Sequence, residues 1–455
     1  MKKALFAVLA ACPLLFAESY QVNTLSAKQL GMGHTGAGQK LGSESMHYNP
    51  GGLGFLDKTL DISAGITFIM PEVEFEGKEV NNKMGTPIYV YAGSSISNWF
   101  SAGLSFTTPY GNSMDLGESW AGANLLQDIS LSVYALQPTV AFKFLDKISI
   151  GGGPTINLGS FSLSKRLIPT GYLSQTALPA LATGLRLMGE TVNAEFVNSV
   201  IDENRESPIS AEFSGDADVG LGFHLGALYD VLPNKLAFGI SYRSEVEMKL
   251  AKGKAKGTEN MTKLNAILVG LGQSPLPVPP LDQGTFEAEL PLPANLNAGL
   301  SVRPIEKLLL AFDLQMIFWG AYEELSLDFT KDGQTFYKSV SEKNYHNTLA
   351  YRFGVQYTLI DQLDLRLGMY YDETPVDDEY LTPESPSTNK LGSTIGFSFR
   401  PIPNLSIDAS FLYALGFGRD AKSGSKKDSN GSVDGLDGRY EVQAWAPSVG
   451  VSFNF

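Results

Sequence analysis

The chain ends on WAPSVGVSFNF, residues 445–455. Odd positions read Trp445, Pro447, Val449, Val451, Phe453 and Phe455, while even positions read Ala446, Ser448, Gly450, Ser452 and Asn454. A strand turns successive side chains to opposite faces, so this spacing sets a large apolar face against a small polar one. The stretch is as long as a tilted strand that crosses a bilayer. An edge strand of a soluble β-sandwich alternates in the same way, but a soluble chain ending on so apolar a strand would be prone to aggregate.

The pattern recurs upstream. Leu363, Leu365, Leu367, Met369 and Tyr371 share one face, and Asp364, Arg366, Gly368, Tyr370 and Asp372 share the other. Leu349, Tyr351, Phe353, Val355 and Tyr357 oppose Ala350, Arg352, Gly354 and Gln356; Leu236, Phe238, Ile240 and Tyr242 oppose Ala237, Gly239, Ser241 and Arg243. In a sandwich the charged face looks outward to water. A membrane barrel inverts this, with apolar residues toward lipid and charges toward the lumen. Large aromatics and leucines with no helix to cover them favour the inverted case, and closing the sheet satisfies every backbone group, as lipid demands. Counting from residue 59 gives about fourteen strands, an even number as expected of a bacterial barrel. Turns such as Leu232–Lys235 and Ile402–Asn404 are short and alternate with long connections.

Composition agrees. The net charge of −14 leaves no basic stripe for nucleic acid. Abundant Gly, Phe and Tyr with a mean hydropathy near zero suit alternating lipid and lumen faces. Lys2 and Lys3 precede the apolar run 4–17, so residues 1–17 read as a signal peptide cleaved after Ala17. Leu9-Ala10-Ala11-Cys12 resembles a lipoprotein box, but it comes early and apolar residues continue beyond it. Cleavage after Ala17 removes Cys12, the sole cysteine, and with it any disulfide or thiol chemistry.

Before the strands lies SESMHYNPGGLGFL, residues 43–56, whose Asn49-Pro50-Gly51-Gly52 suits neither helix nor strand. Two connections, 165–209 and 252–284, carry apolar residues at helical spacing, among them Leu181, Leu185, Ile267, Leu268 and Leu271. The second continues into SPLPVPPL, residues 274–281. Paired, such loops form either an apolar groove for a hydrophobic ligand or a lid packed on itself.

Taken in order, several elements resemble the FadL-type outer-membrane transporters of long-chain fatty acids and related hydrophobic compounds. They are His47 to Leu53, Thr108-Pro109-Tyr110-Gly111, residues 136–154, Gly239 to Ser244, Leu290-Pro291-Leu292-Pro293 and Asp372-Glu373-Thr374-Pro375-Val376, with the terminal Phe455. The likeness covers nearly the whole mature chain. It departs at Gly51, where the family's Asn-Pro-Ala element has Ala. It implies an all-β fold: an antiparallel outer-membrane barrel over 58–455, plugged by a lumenal hatch over 18–57 that contains Asn49, Pro50 and Gly51. A surface turn before the first strand is the plainer reading of that segment.

The resemblance further implies ligand capture at the two helical loops, with Leu181, Leu185, Ile267 and Leu271 as candidates. It implies a lateral exit at a disrupted strand, with Gly103 or Pro109 as the break, and an acid, Asp372, holding the hatch near residues 18–25. The implied partners are fatty acids or hydrocarbons, outer-membrane lipids, and the barrel assembly machinery acting through Phe455. A non-transporting surface receptor or adhesin is the rival expectation.

Enzymatic readings are weak. His34, His47, His224 and His346 lack metal-helix spacing, and no G-x-S-x-G elbow occurs. The glycines at 151–153 lack the Lys and Ser or Thr of a phosphate loop. The run 428–438 alternates Asp and Gly but departs from a calcium-loop pattern, so it reads as solvated. No cofactor and no metal are expected.

Overall fold

The computed structural model describes residues 19–455 apart from 81–82, 118–119, 121, 167–177, 202–209, 257–258, 276–280, 282–283 and 428–434. The expected signal peptide, most of SPLPVPPL and most of 428–438 lie outside the described residues.

Among the described residues, fourteen strands form a closed antiparallel ring. They are β1 (Asp61–Thr67), β2 (Ile88–Ser97), β3 (Phe100–Asp115), β4 (Asp128–Phe144), β5 (Ile148–Arg166), β6 (Gly220–Leu232) and β7 (Leu236–Arg243). The second half comprises β8 (Asn295–Ile305), β9 (Leu308–Ile317), β10 (Thr348–Ile360), β11 (Leu363–Asp372), β12 (Lys390–Ile402), β13 (Leu405–Gly416) and β14 (Gly438–Asn454). Each pairs with the next, and β14 closes on β1 with Val451 opposite Ala64. Closure leaves no edge to face lipid. Phe455 completes the seam: its N–H donates to Leu60 O and its carbonyl accepts from Thr59.

Alternation along the strands separates lipid from lumen as expected. Leu367 is 59% exposed while Arg366, one residue away, is 5% exposed. The turn at Leu232–Lys235 is tight, with Lys235 N–H on Leu232 O at 2.8 Å and Asn234 in the left-handed region at φ 59°. At the opposite end the hairpins outgrow the ring. Val246–Lys256 pairs with Thr285–Leu292, which pairs with Glu324–Lys331 and then Gln334–Glu342. The strands therefore run into the expected loop spans, to Arg166 and Lys256, before the helices begin.

Residues 19–56 sit against the inward side chains and are almost wholly buried. This segment is two short helices, Ala27–Leu30 and Ser45–Tyr48, and two 3-10 turns, Gly42–Glu44 and Pro50–Phe55. Its irregular backbone is satisfied by lumen side chains. Asp313 accepts from Gly36 N–H at 2.6 Å and Ala37 N–H at 2.8 Å; Tyr91 OH donates to Leu25 O at 2.9 Å; Gln137 donates to Met46 O at 2.9 Å. Glu44 gathers Ser26, Ser63 and Lys28, and Lys40 pairs with Asp230 at 2.6 Å. Irregular backbone at membrane depth is tolerable on these terms.

Candidate functional site

The inward face of β4 reads Ile129, Leu131, Val133, Ala135, Gln137, Thr139 and Ala141, all buried. Along one strand the lumen thus changes from apolar to polar to small, and the three zones differ in what they hold.

The first zone, at the long-loop end, is an apolar pocket lined by Tyr20, Ile129, Leu131, Met248, Leu290 and Tyr322 among others, with about 950 Å³ of empty space including its mouth. That lies within the range of small-molecule sites. Aromatic rings brace its base: Tyr20 meets Trp319 edge-on at 4.8 Å, and Tyr322 meets Tyr345 at 4.9 Å. Lys343 and Glu384 supply a polar corner and pair with each other. Burial opposes the charge on Glu384, but Lys343 beside it outweighs burial and holds the carboxyl below its usual range. Nearby, Arg419 donates to Asp378 at 2.6 Å and likewise keeps that carboxyl low.

The second zone is a strap, Ser19 to Asn23. Val22 N–H donates to Pro109 O and Gly111 N–H to Tyr20 O, both at 2.8 Å, so the strap is tied to β3 by a single antiparallel bridge at Gln21 and Tyr110. β3 is broken at this point. Its register against β4 runs regularly to Thr107 opposite Ala135 and resumes at Tyr110 opposite Val133, one residue out of step. Pairing with β2 ends at Thr107. Pro109 has no N–H to give, which favours a bulge there. Gly103, the other candidate break, is regularly paired with Gly93 and Thr139, and its missing side chain makes room for Met46.

Beneath the strap lies the third zone, a polar cavity. Gln21, Asn23, Tyr110, His34, His47, His224, Arg243, Asp313 and Arg352 are among its lining residues. Tyr20 faces the apolar pocket while Gln21, Val22 and Asn23 face this cavity, so a few residues of strap divide the two.

The predicted residues fall in different places. Asn49 is fully buried and works as a staple: Nδ2 donates to Ala37 O at 2.7 Å and Ala227 O at 2.9 Å, and Oδ1 caps Gly51 N–H at 3.0 Å. Pro50 opens the following 3-10 turn. A Cβ at Gly51 would stand 2.8 Å from Ala227 Cα, which explains the departure from Ala at this position. Asp372 is buried in the lumen, 4.0 Å from Arg352.

Leu181, Leu185, Ile267 and Leu271 do come together, in one apolar cluster formed by the helices Leu178–Leu187, Thr191–Ile201 and Glu259–Gly270. Leu185 is buried in it and the other three are partly buried. Sequence reasoning expected an apolar pocket beside the hatch without placing its lining, and it missed the strap and the polar cavity. Their one legible trace was the gradient along Ile129 to Ala141, which shows only when a single face of a single strand is read alone. Among the described residues, no three His, Cys, Asp or Glu side chains group as metal ligands.

Residues 8–455 match the family described as Outer membrane protein transport protein (OMPP1/FadL/TodX). The long-chain fatty acid transport protein of Escherichia coli O6:H1 is 23% identical over 409 residues, covering 87% of this chain and 86% of its own. The fold is that of a Pseudomonas aeruginosa FadL homologue, with a TM-score of 0.75 at 19% identity over 96% of this chain and all of that one. It is also that of the Ralstonia pickettii toluene transporter TbuX, with a TM-score of 0.65 at 17% identity over 95% and 98% of the two chains. A closed apolar-out barrel filled by its own N-terminal segment, matched to one family over nearly its whole length, is a member of the FadL and TodX family of outer-membrane transporters for hydrophobic compounds.

Proposed function

We propose that this chain carries hydrophobic molecules such as long-chain fatty acids inward across the outer membrane. Capture begins at the helical cluster around Leu181, Leu185, Ile267 and Leu271. The ligand then enters the apolar pocket over Tyr20. Displacement of the Ser19–Asn23 strap frees the broken segment of β3 at Thr108–Pro109, and the ligand leaves sideways there. The observation that carries this reading is one strap doing two jobs: it divides the pocket from the cavity, and it is hydrogen-bonded to the break in the wall.

Motion is passive and no covalent chemistry is assigned to the chain. Asn49, Pro50 and Gly51 hold the body of residues 18–57 in place as a hatch. Asp372 helps seat its N-terminal end; on that reading Asp372→Ala raises hydrogen exchange in residues 19–57, and identical protection would remove Asp372 from the seat. Phe455, exposed at the seam, is read as the handle for the barrel assembly machinery. The test of the function is uptake of radiolabelled oleate and toluene by cells lacking their own transporters, with mass spectrometry of molecules co-purifying with the protein. No uptake above background, and no apolar molecule retained, would favour a surface receptor instead.

A further inference from the structure

Arg243, at the end of β7, points its guanidinium into the polar cavity. Its Nη2 lies 3.3 Å from His47 Nδ1, 3.3 Å from His224 Nδ1, and donates to His47 O at 3.1 Å. A guanidinium offers only donors, and the two hydrogens of Nη2 are shared among the His47 carbonyl and the two ring nitrogens. An imidazole is neutral or cationic, so neither ring cancels any of the arginine's charge. Among the described residues no carboxylate lies within ion-pair distance of Arg243.

The other arginine of the cavity is placed differently. Arg352 sits opposite Asp313 across the β9–β10 pairing and 4.0 Å from Asp372. The cavity wall thus carries one guanidinium matched by acids and one that is not. Enclosing an unmatched charge is costly unless something of opposite sign arrives. His34 adds a second sign of an open site: the residue is 4% exposed, lines the same cavity, and its Nδ1 has no hydrogen-bond partner. Amides of Asn295 and Asn297 stand on the same wall.

We propose that Arg243 is the anion-reading residue of a head-group site in this cavity, and that the site makes the conduit select amphiphiles with a carboxylate head over neutral hydrocarbons of the same length. This rests on the conduit reading above. The apolar pocket satisfies the tail of either kind of molecule. Only a charged head gains from the cavity beyond the strap, and the cavity reaches Pro109 and Tyr110, where the wall is broken. An acid crossing the strap exchanges water for a charge-assisted hydrogen bond at the exit; a hydrocarbon gains nothing there.

The test compares a long-chain carboxylate with the primary alcohol of equal length, in cells carrying wild type, R243Q or R243K. Heat-modifiable electrophoretic mobility checks that each barrel is assembled. Wild type should favour the acid. R243Q should lower uptake of the acid by roughly tenfold to a hundredfold, the range set by losing a hydrogen bond to a charged group, and leave the alcohol unchanged. R243K should keep most of the preference. Equal loss for acid and alcohol, or no loss for either, would overturn the anion site while leaving the conduit intact. If R243Q does not assemble, wild type decides: equal uptake of acid and alcohol overturns the proposal. Uptake of neither by wild type overturns the conduit and the head-group site together.

Discussion

Leu367 and Arg366 are adjacent in sequence and opposite in environment. Leu367 faces lipid; Arg366 donates to Ser398 and Gln356 in the lumen and lies 3.8 Å from Asp364 and 4.0 Å from Asp408. The pleat alone decides this, and a one-residue slip would reverse it. Leu367→Arg should therefore destabilise the barrel by roughly 2–4 kcal/mol if the position is near the bilayer midplane. Urea-gradient folding into lipid vesicles measures it, and an Arg tolerated at 367 as well as at 366 would contradict the register.

Glu384 offers a residue-scale prediction with a pH axis. Its carboxyl is held below the usual range by Lys343. A carboxylate whose folded pKa lies below its unfolded value adds stability that is complete above the unfolded value and is lost as pH falls through the folded one. The Lys343–Glu384 pair should thus hold the pocket's polar corner at neutral pH and release it in acid, below the ordinary carboxylate range of about 4.3. Hydrogen exchange around Glu384 should rise on acidification in wild type. In Glu384→Gln it should already be raised at neutral pH, and vary less. An acid response of the same size in the variant would assign the effect to another group.

At the scale of elements, the strands were legible and the spaces between them were not. A period of two survives in any strand that separates lipid from lumen, so Leu363 to Asp372 and Trp445 to Phe455 each declared the fold by themselves. The helical loops were legible for the same reason, since Leu181, Leu185, Ile267 and Leu271 repeat at helical spacing and do share one cluster. The lining of the apolar pocket was hidden because its walls come from residues as distant as Tyr20, Leu131, Met248 and Tyr345, each contributing one side chain with no local pattern. Arg243 was hidden differently: it continues a regular alternation, and that no carboxylate stands within ion-pair distance of it among the described residues shows only in the fold.

The loop cluster carries its own prediction. Leu181→Gln with Ile267→Gln alters partly buried positions and leaves Leu185 in the cluster's centre. Uptake should fall severalfold at low ligand concentration and recover near saturation, as expected when capture rather than passage is weakened. Barrel assembly should be unaffected. Unchanged uptake at low concentration would leave the cluster as a packed lid only.

For the molecule as a whole, the question is whether the strap must move. Gln21 and Tyr110 face each other across the strap–β3 pairing. The flanking bonds run from Val22 N–H to Pro109 O and from Gly111 N–H to Tyr20 O, which makes Gln21 and Tyr110 a non-hydrogen-bonded pair. Such pairs have Cα atoms about 4.5 Å apart, within disulfide reach. Cys12, the chain's sole cysteine, falls in the expected signal peptide, so Gln21→Cys with Tyr110→Cys would add the only two thiols of the mature protein. The oxidising periplasm should close the bond. A closed bond pins the strap to the broken strand, keeps the pocket and cavity apart, and should reduce uptake to the level of cells without the protein. Reductant should restore it. The Tyr110→Cys single variant controls for loss of the Tyr110 hydroxyl, which lies 3.4 Å from Pro293 O, and Gln21→Cys alone controls for loss of the Gln21 side chain. Full uptake through a quantitatively bridged barrel would mean that ligand passes without moving the strap, and the exit would then have to lie elsewhere in the wall.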